Sequence, residues 1–156
     1  MGFFDSVKSL TNAITGGAAT VTLQCDRISF NEPFKVVVTA VTESTSVKLD
    51  RVYLYLQGYE EVEVPDVDIE YEDDGDVRRR TETVRASNET VDLDITVAEA
   101  QELEPHQTYE WEVEIELPSD APKIYRGHYC QHTYRVLAGL DCFGNDPDSG
   151  WVELYD

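Results

Sequence analysis

The sequence predicts an all-β domain, an antiparallel sandwich or barrel, preceded by a short amphipathic helix. Two observations support this prediction. Apolar and polar residues alternate through most of the chain after Gly17, and turn residues separate the alternating stretches at short intervals. Alternation at every second residue is typical of strands with one face in the core and one in water. Many short strands of this kind, with few helices, indicate a sandwich or barrel.

The N-terminal segment has helical periodicity. Phe3, Val7, Leu10 and Ile14 recur at spacings of four, three and four, which places them on one stripe of a helix. Residues 16 and 17 are both glycine, a residue that commonly ends helices. We therefore assign residues 1–17 to the helix and 18–156 to the β-domain. The stripe either packs on the β-domain or is an interface, and deleting residues 1–15 separates the two: loss of folding indicates core, and loss of assembly alone indicates an interface.

The strands follow from stretches of alternation between turn signals. They are predicted at residues 20–25, 34–41, 47–64, 91–97, 109–117, 128–142 and 151–155, with one helical turn at 98–103. The clearest is 109–117, where five apolar residues alternate with four glutamates. One face of each strand should form the core. The predicted core includes Val36, Val38, Leu54, Leu56, Trp111, Val113, Ile115, Val136 and Leu140.

A projecting hairpin is predicted around residues 73–76. The Asp-Gly pair favours a type I′ turn, which would place Glu70 opposite Arg79 and Tyr71 opposite Arg78. Arg78, Arg79 and Arg80 are the one basic cluster of the sequence. They either offset the neighbouring carboxylates or bind an acidic or phosphorylated partner. Residues 66–76 and 145–150 are acidic enough to suggest calcium, but 66–76 lacks the EF-hand glycine and glutamate, so we expect solvated loops.

The composition of the chain indicates where the protein is located and which classes of partner it binds. The 156 residues include 12 Lys or Arg and 32 Asp or Glu, a formal charge of −20. This charge disfavours nucleic acid and anionic lipid as partners. The sequence has neither an apolar stretch of about 18 residues nor a basic segment leading into an apolar one. We therefore expect a cytoplasmic protein that does not contact membranes.

The same charge predicts a halophilic protein. Repulsion among carboxylates destabilises the compact state, and salt screens that repulsion. We expect the melting temperature to rise as KCl is increased from low to molar concentration. A melting temperature that does not rise would contradict this interpretation and favour an ordinary acidic protein.

Cysteine and histidine give the sharpest candidate for a metal site. An odd number of cysteines (Cys25, Cys130 and Cys142) without a secretory signal predicts reduced thiols. On a strand, His128, Cys130 and His132 would share one face. The two histidines would then lie about 13 Å apart, too far to bind one ion. We therefore expect a core thiol with two histidines at the rim, and neither a metal nor another cofactor.

Sequence motifs give no residue set for catalysis. The chain contains no G-x-S-x-G, no phosphate-binding loop, no G-x-G-x-x-G and no H-E-x-x-H. Carboxylates are abundant, but abundance alone does not place two of them around a substrate. We therefore expect a protein that is not an enzyme, and a metal-binding enzyme is the least supported alternative.

Several segments, taken in order, carry a family resemblance. They are Met1-Gly2-Phe3-Phe4, Asp26-Arg27, Asn31-Glu32-Pro33-Phe34, Val52-Tyr53-Leu54-Tyr55-Leu56, Leu117-Pro118-Ser119-Asp120-Ala121-Pro122, Gly139-Leu140-Asp141 and Asp146-Pro147-Asp148-Ser149. This order resembles the arrestin-like sporulation-control proteins of bacteria and archaea, a family similar to the N-terminal domain of arrestins. The resemblance covers residues 1 to about 155. It implies an immunoglobulin-like antiparallel β-sandwich of arrestin type that acts as an adaptor or regulatory module, and it carries over no catalytic residue.

These observations predict a non-enzymatic adaptor that works through protein–protein interaction. A sheet edge, the acidic hairpin with Arg78, Arg79 and Arg80, or the N-terminal stripe would contact the partner. The alternative is a structural subunit that self-associates, or touches a membrane, through Phe3, Val7, Leu10 and Ile14.

Overall fold

A computed structural model describes residues 18–156, and this part of the chain contains strands and no helix. The strands are Ala19–Cys25 (β1), Phe34–Thr42 (β2), Val47–Tyr71 (β3), Val77–Ala98 (β4), Gln101–Leu103 (β5), Thr108–Ile115 (β6), Tyr125–Arg126 (β7), Cys130–Cys142 (β8) and Val152–Glu153 (β9). The predicted helix and its stripe of Phe3, Val7, Leu10 and Ile14 lie outside the described residues. Within 18–156, no helix has the length and apolar character needed to cross a bilayer.

The strands form two antiparallel sheets that face each other. The smaller sheet has the order β1-β2-β6. The larger has the order β4-β3-β8-β7, with β5 paired to β3 and β9 paired to β8. Each sheet contributes its apolar face to one continuous core. The prediction of an all-β antiparallel sandwich is therefore confirmed.

The core consists of inward-facing residues of the central strands. Val36 and Val38 of β2 and Leu54 and Leu56 of β3 are fully buried, as is Val136 of β8. Removing such side chains from water stabilises the fold by about 25 cal/mol per Å² of apolar surface. The core prediction is wrong for two residues, Trp111 and Val113, which are only half-buried. Both lie on β6, an edge strand of the smaller sheet, where the facing sheet covers them incompletely.

Tyr134 is the largest fully buried side chain. Its hydroxyl donates a hydrogen bond to the Pro122 carbonyl at 2.5 Å, and its ring meets the Phe30 ring edge-on at 5.8 Å between centroids. The ring lies over Gly58 on the neighbouring strand β3, where an added Cβ would be 2.8 Å from Tyr134 Cε1. Glycine at position 58 therefore provides the space that the buried tyrosine occupies.

The helical turn predicted over residues 98–103 is wrong. Gln101–Leu103 form β5 and pair with residues 47–49 at the start of β3. Leu103 is fully buried there. A single helical turn is too short to be stable alone, whereas pairing with β3 satisfies the backbone and buries Leu103.

Candidate interaction site

Strands β3 and β4 continue beyond the sandwich as a two-stranded ribbon. The pairing of β3 with β8 ends at Val62 and Cys130, whereas its pairing with β4 continues to Tyr71 and Val77. We call residues 63–71 and 77–85 the ribbon. Every ribbon side chain is exposed. At about 3.3 Å per residue, each strand of the ribbon spans roughly 30 Å.

The connection at the end of the ribbon, residues 72–76, contains a three-residue loop, 73–75, rather than the predicted two-residue turn. Glu72 N–H donates to the Asp76 carbonyl at 2.9 Å, and Gly75 N–H donates to the Glu72 carbonyl at 2.9 Å. Gly75 has a φ of 86°, a left-handed conformation that glycine adopts readily. The extra residue shifts the predicted register by one, so Glu70 lies opposite Arg78 and Tyr71 opposite Val77. This geometry is the three-residue hairpin loop with glycine in the left-handed position.

One face of the ribbon is apolar. Because side chains alternate between faces, the odd-numbered residues of both strands lie together and continue the outer face of the larger sheet. The exposed fractions are 47% for Val67, 50% for Ile69, 80% for Tyr71 and 58% for Val77. Pro65 lies on the same face, nearer the sandwich. These side chains form an exposed apolar stripe along β3, with Thr81 and Arg79 opposite it on β4. We call these five residues the apolar face.

The opposite face carries a row of carboxylates. Asp66, Asp68 and Glu70 lie there, on β3. Asp68 and Glu70 lie opposite Arg80 and Arg78 on β4, whereas Asp66 lies opposite Glu82. Arg78 pairs with Glu72 at 2.8 Å, and Arg80 with Glu82 at 2.8 Å. Among residues 18–156, no ion pair within 4 Å involves any of the three carboxylates of this row. We call this row the acidic row; the arginines on its face form their ion pairs with Glu72 and Glu82 instead.

The same alternation separates the predicted arginine cluster. Arg79 lies on the apolar side of the ribbon, opposite Ile69, while Arg78 and Arg80 lie on the acidic side. The three guanidinium groups therefore do not form one basic patch. The acidic segment 66–76 is likewise not a loop, because residues 66–71 belong to β3 and only 72–76 connect the strands.

The outer edge of β3 is open along the ribbon. Glu63 N–H donates to the Tyr129 carbonyl at 2.8 Å, which shows that odd-numbered residues of this stretch point their backbone groups away from β4. Glu72, an even-numbered residue, instead donates its N–H across the ribbon to the Asp76 carbonyl. Since N–H and C=O of one strand residue point to the same side, Val67, Ile69 and Tyr71 direct theirs outward. No strand among residues 18–156 pairs with these groups, and we call the row the β3 edge.

An open cleft of about 680 Å³ lies where the β3 edge begins. The ribbon contributes Glu63, Pro65 and Arg85 to its wall, and the turn before β8 contributes His128 and Tyr129. Arg85 Nε donates to Glu63 Oε2 at 3.1 Å, so the charges of these two residues compensate each other. The cleft leaves space next to the point where β8 stops pairing with β3.

The histidine and cysteine candidates do not line one face of a strand. His128 lies in the turn before β8 and is exposed, contrary to the predicted strand at this position. Cys130 is half-buried, and His132 is buried with its Nε2 2.7 Å from Thr90 Oγ1. No group of three or more His, Cys, Asp or Glu side chains within residues 18–156 is placed to hold a metal ion.

The three cysteines are free thiols. Burial, with the nearby Asp26 carboxylate, raises the pKa of Cys25 to about 12, and burial raises that of Cys142 to about 11. The thiolate is the nucleophilic and metal-binding form, so both groups are unreactive thiols near neutral pH.

The burial of His132 predicts that the stability of the fold depends on pH. Burial lowers its pKa below the ordinary value, while the Glu60 carboxylate acts in the opposite direction and is outweighed. The unfolded chain therefore takes up a proton at higher pH than the folded one does, and stability is lost as pH falls below about 6.5. We expect the free energy of unfolding, measured in urea between pH 7.5 and 5.5, to fall more steeply for the wild type than for His132→Gln. The exposed-site variant His128→Gln is the control and should keep the wild-type slope; equal slopes for all three proteins would contradict the prediction.

Comparison with known proteins finds a likeness in structure. No protein-family model and no curated protein matches the sequence. Among solved structures, the chain is similar to the crystal structure of Spo0M, a sporulation control protein from Bacillus subtilis, with a TM-score of 0.57 and 18% sequence identity. The match covers 89% of this chain and 49% of Spo0M, so the chain spans about half the length of that protein. At this identity the likeness concerns the fold, and the chain has the arrestin-like β-sandwich that its sequence resemblance implied.

Proposed function

We propose that this protein is a non-enzymatic, arrestin-like adaptor of the cytoplasm that binds a partner protein through the ribbon. The observation that carries the proposal is the exposure of the apolar face on a ribbon that lies beyond the core. Val67, Ile69, Tyr71 and Val77 keep 47% to 80% of their surface exposed in the fold described for residues 18–156. Their apolar character is explained if a partner removes them from water on binding.

The stability of the ribbon supports the same proposal. An isolated two-stranded hairpin is marginally stable in water, because neither of its faces packs on another layer. A partner that covers the apolar face would supply the missing layer. Spo0M, which shares the fold, is a sporulation control protein. Our proposal takes from Spo0M only the general class, a regulatory protein, and does not include a role in sporulation.

A shortened ribbon tests the proposal. Residues 65–83 are replaced by Asn-Gly, which connects Val64 to Val84 through a two-residue turn and leaves the sandwich intact. Wild-type and shortened proteins are used to capture partners from lysate of the source cells at high KCl. We expect a partner that the wild type retains and the shortened protein loses. Circular dichroism should show the same strand content per residue in both sandwiches.

A second variant separates the apolar face from the ribbon as a whole. Val67→Thr with Ile69→Thr keeps β-branched residues and the strand pairing but reduces the apolar surface. We expect partner capture to weaken in this variant as well. Capture of the same partner by the wild type and the shortened protein would overturn the proposed function.

A further inference from the structure

We propose that the β3 edge accepts an extended segment of the partner as an added antiparallel strand, and that this segment alternates apolar and basic residues. The inference rests on the proposed function, since it specifies the chemistry of the partner that the ribbon binds. Strand addition to an exposed sheet edge derives affinity from main-chain hydrogen bonds and specificity from alternate side chains.

The backbone of the β3 edge provides the hydrogen-bonding groups. Val67, Ile69 and Tyr71 each direct one N–H and one C=O away from β4, as the Glu63 and Glu72 hydrogen bonds establish. On the main sheet, β8 occupies this side of β3 up to Cys130. An added strand would therefore continue the line of β8 along the ribbon. The cleft of about 680 Å³ beside Tyr129 leaves room for its end.

The two edges of the ribbon differ in how well they accept a strand. The β4 edge carries three successive arginines, Arg78, Arg79 and Arg80. Charged side chains on an edge strand discourage pairing with another chain. On β3, Pro65 removes one donor close to the sandwich, but from Val67 to Tyr71 every residue has its N–H. The arginines of β4 put charge on both faces of that edge, whereas the carboxylates of β3 lie on one face, so the β3 edge is the better acceptor of an added strand.

Side chains on β3 determine the pattern that the added strand must have. Alternate residues of that strand would lie beside Val67, Ile69 and Tyr71, where apolar side chains extend the apolar face. The remaining residues would lie beside the acidic row, whose carboxylates form no ion pair within 4 Å among the described residues. Lysine or arginine at those positions would supply a countercharge. Acidic residues there would be repelled.

Binding of a defined peptide tests the inference. The probe is a fluorescein-labelled peptide of alternating valine and lysine, and fluorescence anisotropy reports its binding to the full-length protein. We expect saturable binding that weakens as KCl increases, since part of the attraction is electrostatic. The matched peptide of alternating valine and glutamate should not bind. Equal binding of both peptides would overturn the charge pattern.

Proline substitution on each edge distinguishes strand addition from non-specific attraction to an acidic protein. Ile69→Pro removes one N–H of the β3 edge without removing a β3–β4 hydrogen bond, and Thr81→Pro does the same on the β4 edge. We expect about a tenfold loss of peptide affinity for Ile69→Pro and little change for Thr81→Pro. Ile69→Ala keeps the N–H and should lose less than Ile69→Pro. Wild-type affinity in Ile69→Pro, or an equal loss in Thr81→Pro, would overturn strand addition at the β3 edge.

The outcomes separate this inference from the proposed function. If the valine–lysine peptide fails to bind while the shortened ribbon abolishes partner capture, strand addition is wrong and the adaptor function stands. If the shortened protein captures the same partner as the wild type, the adaptor function through the ribbon is wrong. Circular dichroism and melting temperature of each proline variant confirm that the sandwich is folded in the protein being measured.

Discussion

Replacing Tyr134 by alanine is expected to lower the free energy of unfolding by about 3–5 kcal/mol, the range typical of large aromatic residues removed from a core. Tyr134 is fully buried between the sheets and contacts Phe30 and His132 edge-on. Its removal leaves a cavity and an unbonded Pro122 carbonyl. Urea unfolding at neutral pH and fixed KCl measures the change.

The variant Tyr134→Phe is the matched control. It keeps the ring and loses the hydrogen bond to the Pro122 carbonyl, so we expect a loss of about 1 kcal/mol. If Tyr134→Ala were no less stable than Tyr134→Phe, the ring would not be a central element of the core.

Replacing Gly58 by alanine is expected to destabilise the fold by about 1–3 kcal/mol, the usual cost of overpacking a core. The new methyl group would lie 2.8 Å from Tyr134 Cε1 and 2.8 Å from Thr90 Oγ1. The Tyr134 ring cannot move away easily, because its far end is fixed by the bond to Pro122 and its faces are packed. Urea unfolding of Gly58→Ala against wild type gives the value.

A double-mutant cycle identifies the cause of that cost. In the Tyr134→Ala background the methyl group enters the cavity, so the cost of Gly58→Ala should fall by more than half. Gly75→Ala is the control: nothing lies within 4 Å of its Cβ position, but its φ of 86° is unfavourable for alanine. It should cost about 1 kcal/mol in both backgrounds. Equal costs of Gly58→Ala in the two backgrounds would contradict the proposed collision.

Alternation in the sequence predicts the sandwich well because burial enforces it. Residues 109–117 alternate five apolar residues with four glutamates, and β6 occupies 108–115. Likewise, Val136 and Leu140 of the strand predicted at 128–142 are predicted in the core, and both are fully buried. Wherever one face of a strand meets the core and the other meets water, the period of two is visible in the residues themselves.

The ribbon is harder to predict because neither of its faces is buried. The predicted third strand ends at Val64, whereas β3 continues to Tyr71. Carboxylates at 66, 68 and 70 make this stretch resemble a solvated loop, although Val67 and Ile69 maintain the alternation. Its register is also ambiguous, since an Asp-Asp-Gly-Asp sequence suits both a two-residue and a three-residue connection.

The contact between Gly58 and Tyr134 has no signal in a single sequence. Glycine within a strand indicates a bulge or a close approach, but it does not identify the group that approaches. The partner is set by the register of β3 with β8, which brings Gly58 opposite Tyr134. That register depends on the packing of the whole sheet.

Because the ribbon extends a central strand beyond the sandwich, the length of the ribbon can change without altering the packing of the core. Insertion of two residues into each arm would lengthen it by about 6.6 Å and keep every side chain on its present side. Insertion of a single residue into each strand near the sandwich would instead reverse the two faces of the ribbon beyond the insertion. The apolar side chains would then lie where the carboxylates lie now, and the carboxylates where the apolar side chains lie. Homologues that retain this arm should therefore differ in its length by even numbers of residues per strand.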